Sequence, residues 1–255
     1  MDFFNGLDFF SIFFILLDSF IVVTALRMLW RIALNKSLSL MSHSYSVHPK
    51  GAQKRILIVG DSTSYGTGAT RPEESLSGLL AHDLPRVEIE NLSENGFRTR
   101  DLIAIFEKKK EKRYDLVIIS IGGNDVWHLS AYARLEKDIV RVLDLANILS
   151  GRKTILLVYS NIGFAPFFPK MLRRFLGTRA LCVQNIFTRV AKERDIACVD
   201  LFSQFYFFEK EPKKYFAPDM LHPSSAGYRL WYREIWAQLA VDNTCPWAIP
   251  PKKSE

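Results

Sequence analysis

From Lys54 onward, short apolar runs alternate with longer stretches of helical period, and this alternation leaves few folds open. The runs at 55–60, 87–92, 115–121, 154–159 and 196–201 read as strands. Most are continuously apolar, the pattern of strands covered on both faces. Residues 72–82, 99–112, 130–149 and 179–194 read as helices between them, and 224–240 follows as a last helix with Ser224 or Ser225 as N-cap. Such alternation builds a mostly parallel sheet with helices on both sides. Ligands of these sheets gather at the carboxyl ends of the strands. The 255 residues suffice for one such domain and an appendage, not for two full domains.

The appendage leads the chain. Residues 9–26 form an 18-residue apolar run broken by a single charge, Asp18, and apolar residues continue past Arg27 to Leu34. Roughly 20 such residues cross a bilayer as a helix. The surrounding Phe, Ile, Leu and Val outweigh the about 2.5–3.5 kcal/mol that a central Asp costs. No Lys or Arg precedes the run and no small-residue cleavage site follows it, which disfavours a cleaved signal peptide. Residues 1–34 are therefore expected to be a membrane anchor. A helix lying in the interface or packed on the domain is the alternative. Asp2 and Asp8 precede the span while Arg27, Arg31 and Lys36 follow it, which places the remainder on the cytoplasmic side, although an exported domain stays open.

Residues 35–53 are rich in Ser and His, with Pro49 and Gly51 near their end, and read as a flexible tether. Residues 54–241 form the folded domain and 242–255 a C-terminal tail. His43 and His48 have no neighbouring ligand residues and read as incidental. Cys182, Cys198 and Cys245 are odd in number and lack metal-ligand spacing, so neither a disulfide framework nor a metal centre is indicated. A formal charge of +7 and a pI near 9.3 invite a nucleic-acid partner. No nucleic-acid-binding motif accompanies them. Solvated helix faces or attraction to anionic lipid explain the basic residues.

Four short words carry chemistry. Gly60-Asp61-Ser62 follows the first strand, Asn95-Gly96 the second and Gly122-Gly123-Asn124-Asp125 the third, so three segments converge on one sheet edge. The fourth, Asp219-Met220-Leu221-His222-Pro223, lies in the loop before the last helix. Ser62 sits among glycines that permit tight turns, and a helix cap or a phosphate-binding turn uses the same residue types. The segment lacks the nucleotide-binding Gly-Lys-Ser/Thr ending and the Gly-x-Ser-x-Gly elbow. A serine hydroxyl attacks well only when a base takes its proton, and imidazole titrates in the right range. His222 is the candidate base, and Asp219, three residues earlier, can fix its tautomer. Asp125, Asp195 and Asp200 are competing carboxylates. The N–H groups of Ser62 and Gly96 and the amide of Asn124 are candidate donors to an oxyanion. Gly96 and Asn124 also suit simple turns.

Together the four words resemble those of the SGNH (GDSL-type) hydrolases, in order and separation, over roughly residues 54–240. The resemblance implies a flavodoxin-like three-layer α/β/α fold and hydrolysis of esters, thioesters or acetylated sugars without a metal or other cofactor. It also implies an acyl-enzyme on Ser62, with Asp219 and His222 as acid and base and Ser62, Gly96 and Asn124 as the oxyanion hole. Thr63 departs from the family, many of whose members carry leucine there, and Asn95-Gly96 is the least distinctive match. An acyltransferase using the same intermediate and a catalytically idle, membrane-tethered binding module remain alternatives. Residues 161–178 combine phenylalanines with Lys170, Arg173 and Arg174. They read either as a core-facing loop with a solvated basic helix or as a lid resting on lipid. The aromatic stretch 202–208 reads as packing.

Overall fold

The computed structural model describes residues 8–158, 160–201 and 204–242. The expected tail beyond Asp242, with Cys245, lies outside them, as does Asp2. Five strands, β1 (Lys54–Gly60), β2 (Val87–Asn91), β3 (Leu116–Ser120), β4 (Thr154–Val158) and β5 (Ala197–Asp200), pair in parallel in the order β2-β1-β3-β4-β5. This is the flavodoxin-like order. The helices are α1 (Phe9–Met41), α2 (Ser62–Tyr65), α3 (Leu76–Asp83), α4 (Asp101–Lys109), α5 (Gly123–Trp127), α6 (Tyr132–Ser150), α7 (Lys170–Lys192), α8 (Phe205–Lys210), α9 (Pro212–Tyr215) and α10 (Ser225–Asp242).

Strand alternation divides the core in two. Leu57 and Val59 of β1 join the apolar cluster that includes Phe106 of α4, Ile139 of α6 and Phe187 of α7. Their neighbours Ile56 and Ile58 join the cluster that includes Leu80 of α3 and Tyr228 and Trp236 of α10. Successive side chains of a strand point to opposite faces, so one apolar run serves both layers. The expected three-layer α/β/α sandwich is the observed fold, preceded by the long apolar helix α1. Ser224 caps α10, its hydroxyl accepting from Gly227 N–H at 3.2 Å.

Two stretches differ from expectation. Helix α7 begins at Lys170, nine residues before the predicted start at 179. Pro169 takes the N-cap position, and Gly177 lets the helix pass the Phe164 ring, where a Cβ would come within 2.4 Å. The tether expected at 35–53 is also structured. Helix α1 runs on to Met41, with no Pro or Gly to stop it, and Val47 then exchanges two backbone hydrogen bonds with Ile89 of β2, each 2.9 Å. That contact covers part of an edge strand that is otherwise open to pairing.

Helix α1 changes character along its length. None of its residues is fully buried. From residue 12 to 23 every position is exposed, whereas Thr24, Met28, Arg31, Asn35, Leu38 and Ser39 are half-buried. Thr24, Met28, Arg31, Asn35 and Leu38 follow one another at three or four residues and define one helical face, widened by Ser39, and that face rests on the domain.

Candidate active site

The register of the sheet brings the first and third words together. Gly60 and Ser120 are paired in neighbouring strands, so the loops that follow them leave the same edge side by side. Between β1 and β3 the strand order reverses, the place where such sheets bind ligands. Asp61 is buried and caps α2, its carboxylate accepting from Thr63 N–H at 3.1 Å and from the Thr63 hydroxyl at 2.7 Å. The departure at Thr63 thus ties this side chain to the loop. Ser62 is the first residue of α2, so its own N–H has no intrahelical acceptor.

His222 connects Ser62 to Asp219. Its Nε2 lies 2.8 Å from Ser62 Oγ and its Nδ1 lies 2.6 Å from Asp219 Oδ2. The loop achieves this with a left-handed residue, Met220, at φ 62°. That turn lets Asp219 Oδ1 accept from the backbone N–H of Leu221 at 3.0 Å and of His222 at 3.1 Å. Asp219 is fully buried and His222 nearly so. Burial by itself pushes the Asp219 carboxyl up. The hydrogen bond and charge of His222, with the two backbone N–H groups, outweigh it and hold the pKa below the usual value of 3.8. Asp125 instead accepts from Thr99 and Ser130 hydroxyls, both at 2.7 Å, and so ties loops together.

The remaining expected residues border the same space. A cavity of about 480 Å³ is lined by Ser62, His222, Gly96 and Asn124. Asn124 Nδ2 donates to Phe97 O at 3.0 Å, which fixes the amide and leaves its second N–H available. Gly96 has φ 84°, a conformation that a side chain disfavours even though a Cβ would meet nothing within 4 Å. Much of the remaining wall is apolar, with Trp127, Phe167, Phe168, Phe208, Phe216 and Leu221 contributing, while Thr63, Asn95 and His128 add polar groups. Trp127 stacks on Phe168 with ring centroids 5.0 Å apart. Phe167 and Phe168 are buried, and Phe167 N–H donates to Met220 O at 2.9 Å. The phenylalanine loop therefore faces inward and joins the His222 loop. Met171, Leu172 and Phe175 at the start of α7 are exposed.

Sequence reasoning missed part of this site. Ile32, Asn35 and Ser39 of α1 also line the cavity. Asn35 Nδ2 lies 3.3 Å from Asp219 Oδ2. The available signal was polar residues at Arg31, Asn35 and Ser39, a stripe of helical spacing directly after an apolar run.

The sequence model of the GDSL-like Lipase/Acylhydrolase family matches residues 58–230. A comparison with curated proteins finds no match. Among solved structures, LAE5, an alpha/beta hydrolase enzyme from the metagenome of Lake Arreo, Spain, superimposes with a TM-score of 0.59 at 22% identity, over 74% of this chain and 96% of its own. A member of the lipolytic protein G-D-S-L family from Veillonella parvula DSM 2008 gives 0.61 at 18% identity, over 72% and 96%. The psychrotrophic esterase EstA from Pseudoalteromonas sp. gives 0.58 at 16% identity, over 75% and 99%. At these identities the likeness is one of fold.

Proposed function

The chain belongs to the GDSL-like lipase/acylhydrolase family, a family of serine esterases, and from that premise we propose that it hydrolyses esters of apolar acyl groups through an acyl-enzyme on Ser62. His222 Nε2 takes the Ser62 proton as Oγ adds to the carbonyl carbon. Asp219 holds Nδ1–H and stabilises the imidazolium that forms. The carbonyl oxygen becomes an oxyanion facing the N–H groups of Ser62 and Gly96 and the amide of Asn124. Collapse of that species breaks the ester bond, and His222 gives its proton to the departing alcohol. Water then repeats the sequence against the acyl-enzyme, releasing the acid and returning the proton to Ser62.

The observation that carries this reading is the unbroken pair of hydrogen bonds from Ser62 through His222 to a buried carboxylate. The substrate class follows from the wall. Aromatic and aliphatic side chains around the cavity favour an acyl chain over a sugar, whose hydroxyls need polar partners. Purified full-length protein should therefore hydrolyse nitrophenyl esters, with kcat/KM rising from acetate to medium-chain esters. A preference for acetate, or no turnover at all, contradicts the assignment.

We also propose that α1 anchors the domain in a membrane. The helix is long and apolar enough to span one, and its residues from 12 to 23 are all exposed. The 18-residue run at 9–26 rises about 27 Å, close to a bilayer's hydrocarbon thickness. The domain at 54–241 then lies against the membrane surface on the side where Arg27, Arg31 and Lys36 emerge, the cytoplasmic side by the charge rule. Retention in the membrane fraction after alkaline carbonate washing supports an anchor, and release into the wash refutes it.

A further inference from the structure

We propose that α1 is part of the active site, with Asn35 a positioning residue for the Asp219–His222 pair and Ile32 a wall of the acyl pocket. This rests on the esterase reading above. It adds that the centre is complete only with the apolar helix docked.

Three contacts join α1 to three separate segments of the site. Arg31 Nη1 donates to the carbonyls of Pro166 and Phe167, the latter at 3.1 Å, and so holds the phenylalanine loop. Asn35 Nδ2 donates to Asp219 Oδ2 at 3.3 Å. Ser39 O accepts from Asn95 Nδ2 at 3.2 Å, while Asn95 Oδ1 accepts from the Thr67 hydroxyl at 2.7 Å, beyond Ser62. Arg31, Asn35 and Ser39 recur every four residues, so one face of one helix reaches all three. Two of the contacts are made by side chains, Arg31 and Asn35, and the third by the Ser39 backbone carbonyl; a helix packed on the domain by chance has no reason to direct all three at the site.

The chemistry of Asn35 suits its place. Asp219 Oδ1 is occupied by two backbone N–H groups, and Oδ2 by His222 Nδ1. A carboxylate oxygen has room for a further donor, and Asn35 supplies it without charge. Lys or Arg there would neutralise the carboxylate and weaken its hold on the imidazolium. At 3.3 Å the contact is longer than the 2.6 Å bond to His222, so it directs Oδ2 rather than competing for it.

Ile32 lies one turn before Asn35 and lines the same cavity as Ser62 and His222. It is 46% exposed, so the mouth of the pocket runs along the helix. An acyl chain lodged there lies against α1, and its route outward leads toward the apolar residues at 9–26. The ester that fits is one whose acyl chain dissolves in a membrane and enters beside the helix.

The test uses full-length protein in detergent, with nitrophenyl acetate and nitrophenyl dodecanoate, and with Ser62→Ala as the control for the parent reading. Ile32→Trp narrows the pocket and should lower the dodecanoate-to-acetate ratio of kcat/KM by about tenfold. Ile32→Ala should shift the ratio the other way. Asn35→Leu should lower kcat on both esters by about tenfold while KM stays within about twofold, and Asn35→Gln, which keeps the amide donor, should recover part of the loss. Ratios and kcat unchanged across these variants, in protein that melts like wild type, overturn the inference. A loss that appears only as KM also overturns the role of Asn35. If wild type turns over neither ester, or Ser62→Ala matches it, the esterase reading has failed instead.

Discussion

Gly60 and Ser120 face each other across β1 and β3 so closely that a Cβ on Gly60 would lie 1.9 Å from the Ser120 carbonyl oxygen. The missing side chain is what lets the Ser62 loop and the Asn124 loop leave the sheet edge together. Gly60→Ala should force the strands apart, costing about 1–3 kcal/mol or more and lowering Tm by several degrees. A thermal melt checks it.

Asp219→Asn should leave the fold largely intact and lower kcat by about ten-thousandfold, because the amide no longer selects the tautomer that presents Nε2 to Ser62. The same variant carries a pH signature. The Asp219 carboxyl is held below its ordinary value of 3.8 in the folded chain, so its ionised form contributes stability above about that pH and the contribution is lost as pH falls through the depressed value. Wild type should therefore lose stability more steeply than Asp219→Asn in acid, as read from denaturant midpoints across that range.

Asn124→Ala should reduce kcat by about a hundred- to a thousandfold with a smaller effect on KM, since an oxyanion donor acts mainly in the transition state. Steady-state kinetics on one ester decides it. A change confined to KM assigns Asn124 to substrate binding alone.

Cys198 should resist alkylation. Burial, reinforced by the nearby charge of Asp200 and only partly offset by Thr188, pushes its thiol up to about 11. Near pH 8 only about a thousandth is thiolate, the reactive form. Mass spectrometry after brief iodoacetamide treatment of the native protein should find Cys198 unmodified.

The strands and the site words were legible because their signals are local. Apolar runs at 55–60 and 115–121 mark strands, and the loops after them carry Ser62 and Asn124 whatever the rest of the chain does. The Asp219–His222 pair was legible for the same reason, being closed by a three-residue turn. What escaped depends on distant contacts. Asn35 and Asp219 are 184 residues apart, and nothing near Asn35 announces a carboxylate. The run at 9–26 reads as membrane-directed by composition, which hides that the same helix continues to Met41 with a polar face on the domain. A basic helix within 161–178 was one reading, but its continuity with the helix at 179–194 escaped, because passage through Gly177 depends on Phe164 packed against it.

In the proposed reaction Ser62 is the nucleophile that His222 activates. Treating the folded full-length protein with a fluorophosphonate probe and mapping the adduct by mass spectrometry tests this most directly. One adduct, on the peptide containing Ser62 and lost in His222→Ala, is the predicted result. Labelling on another residue, or labelling of Ser62 that persists undiminished without His222, contradicts it.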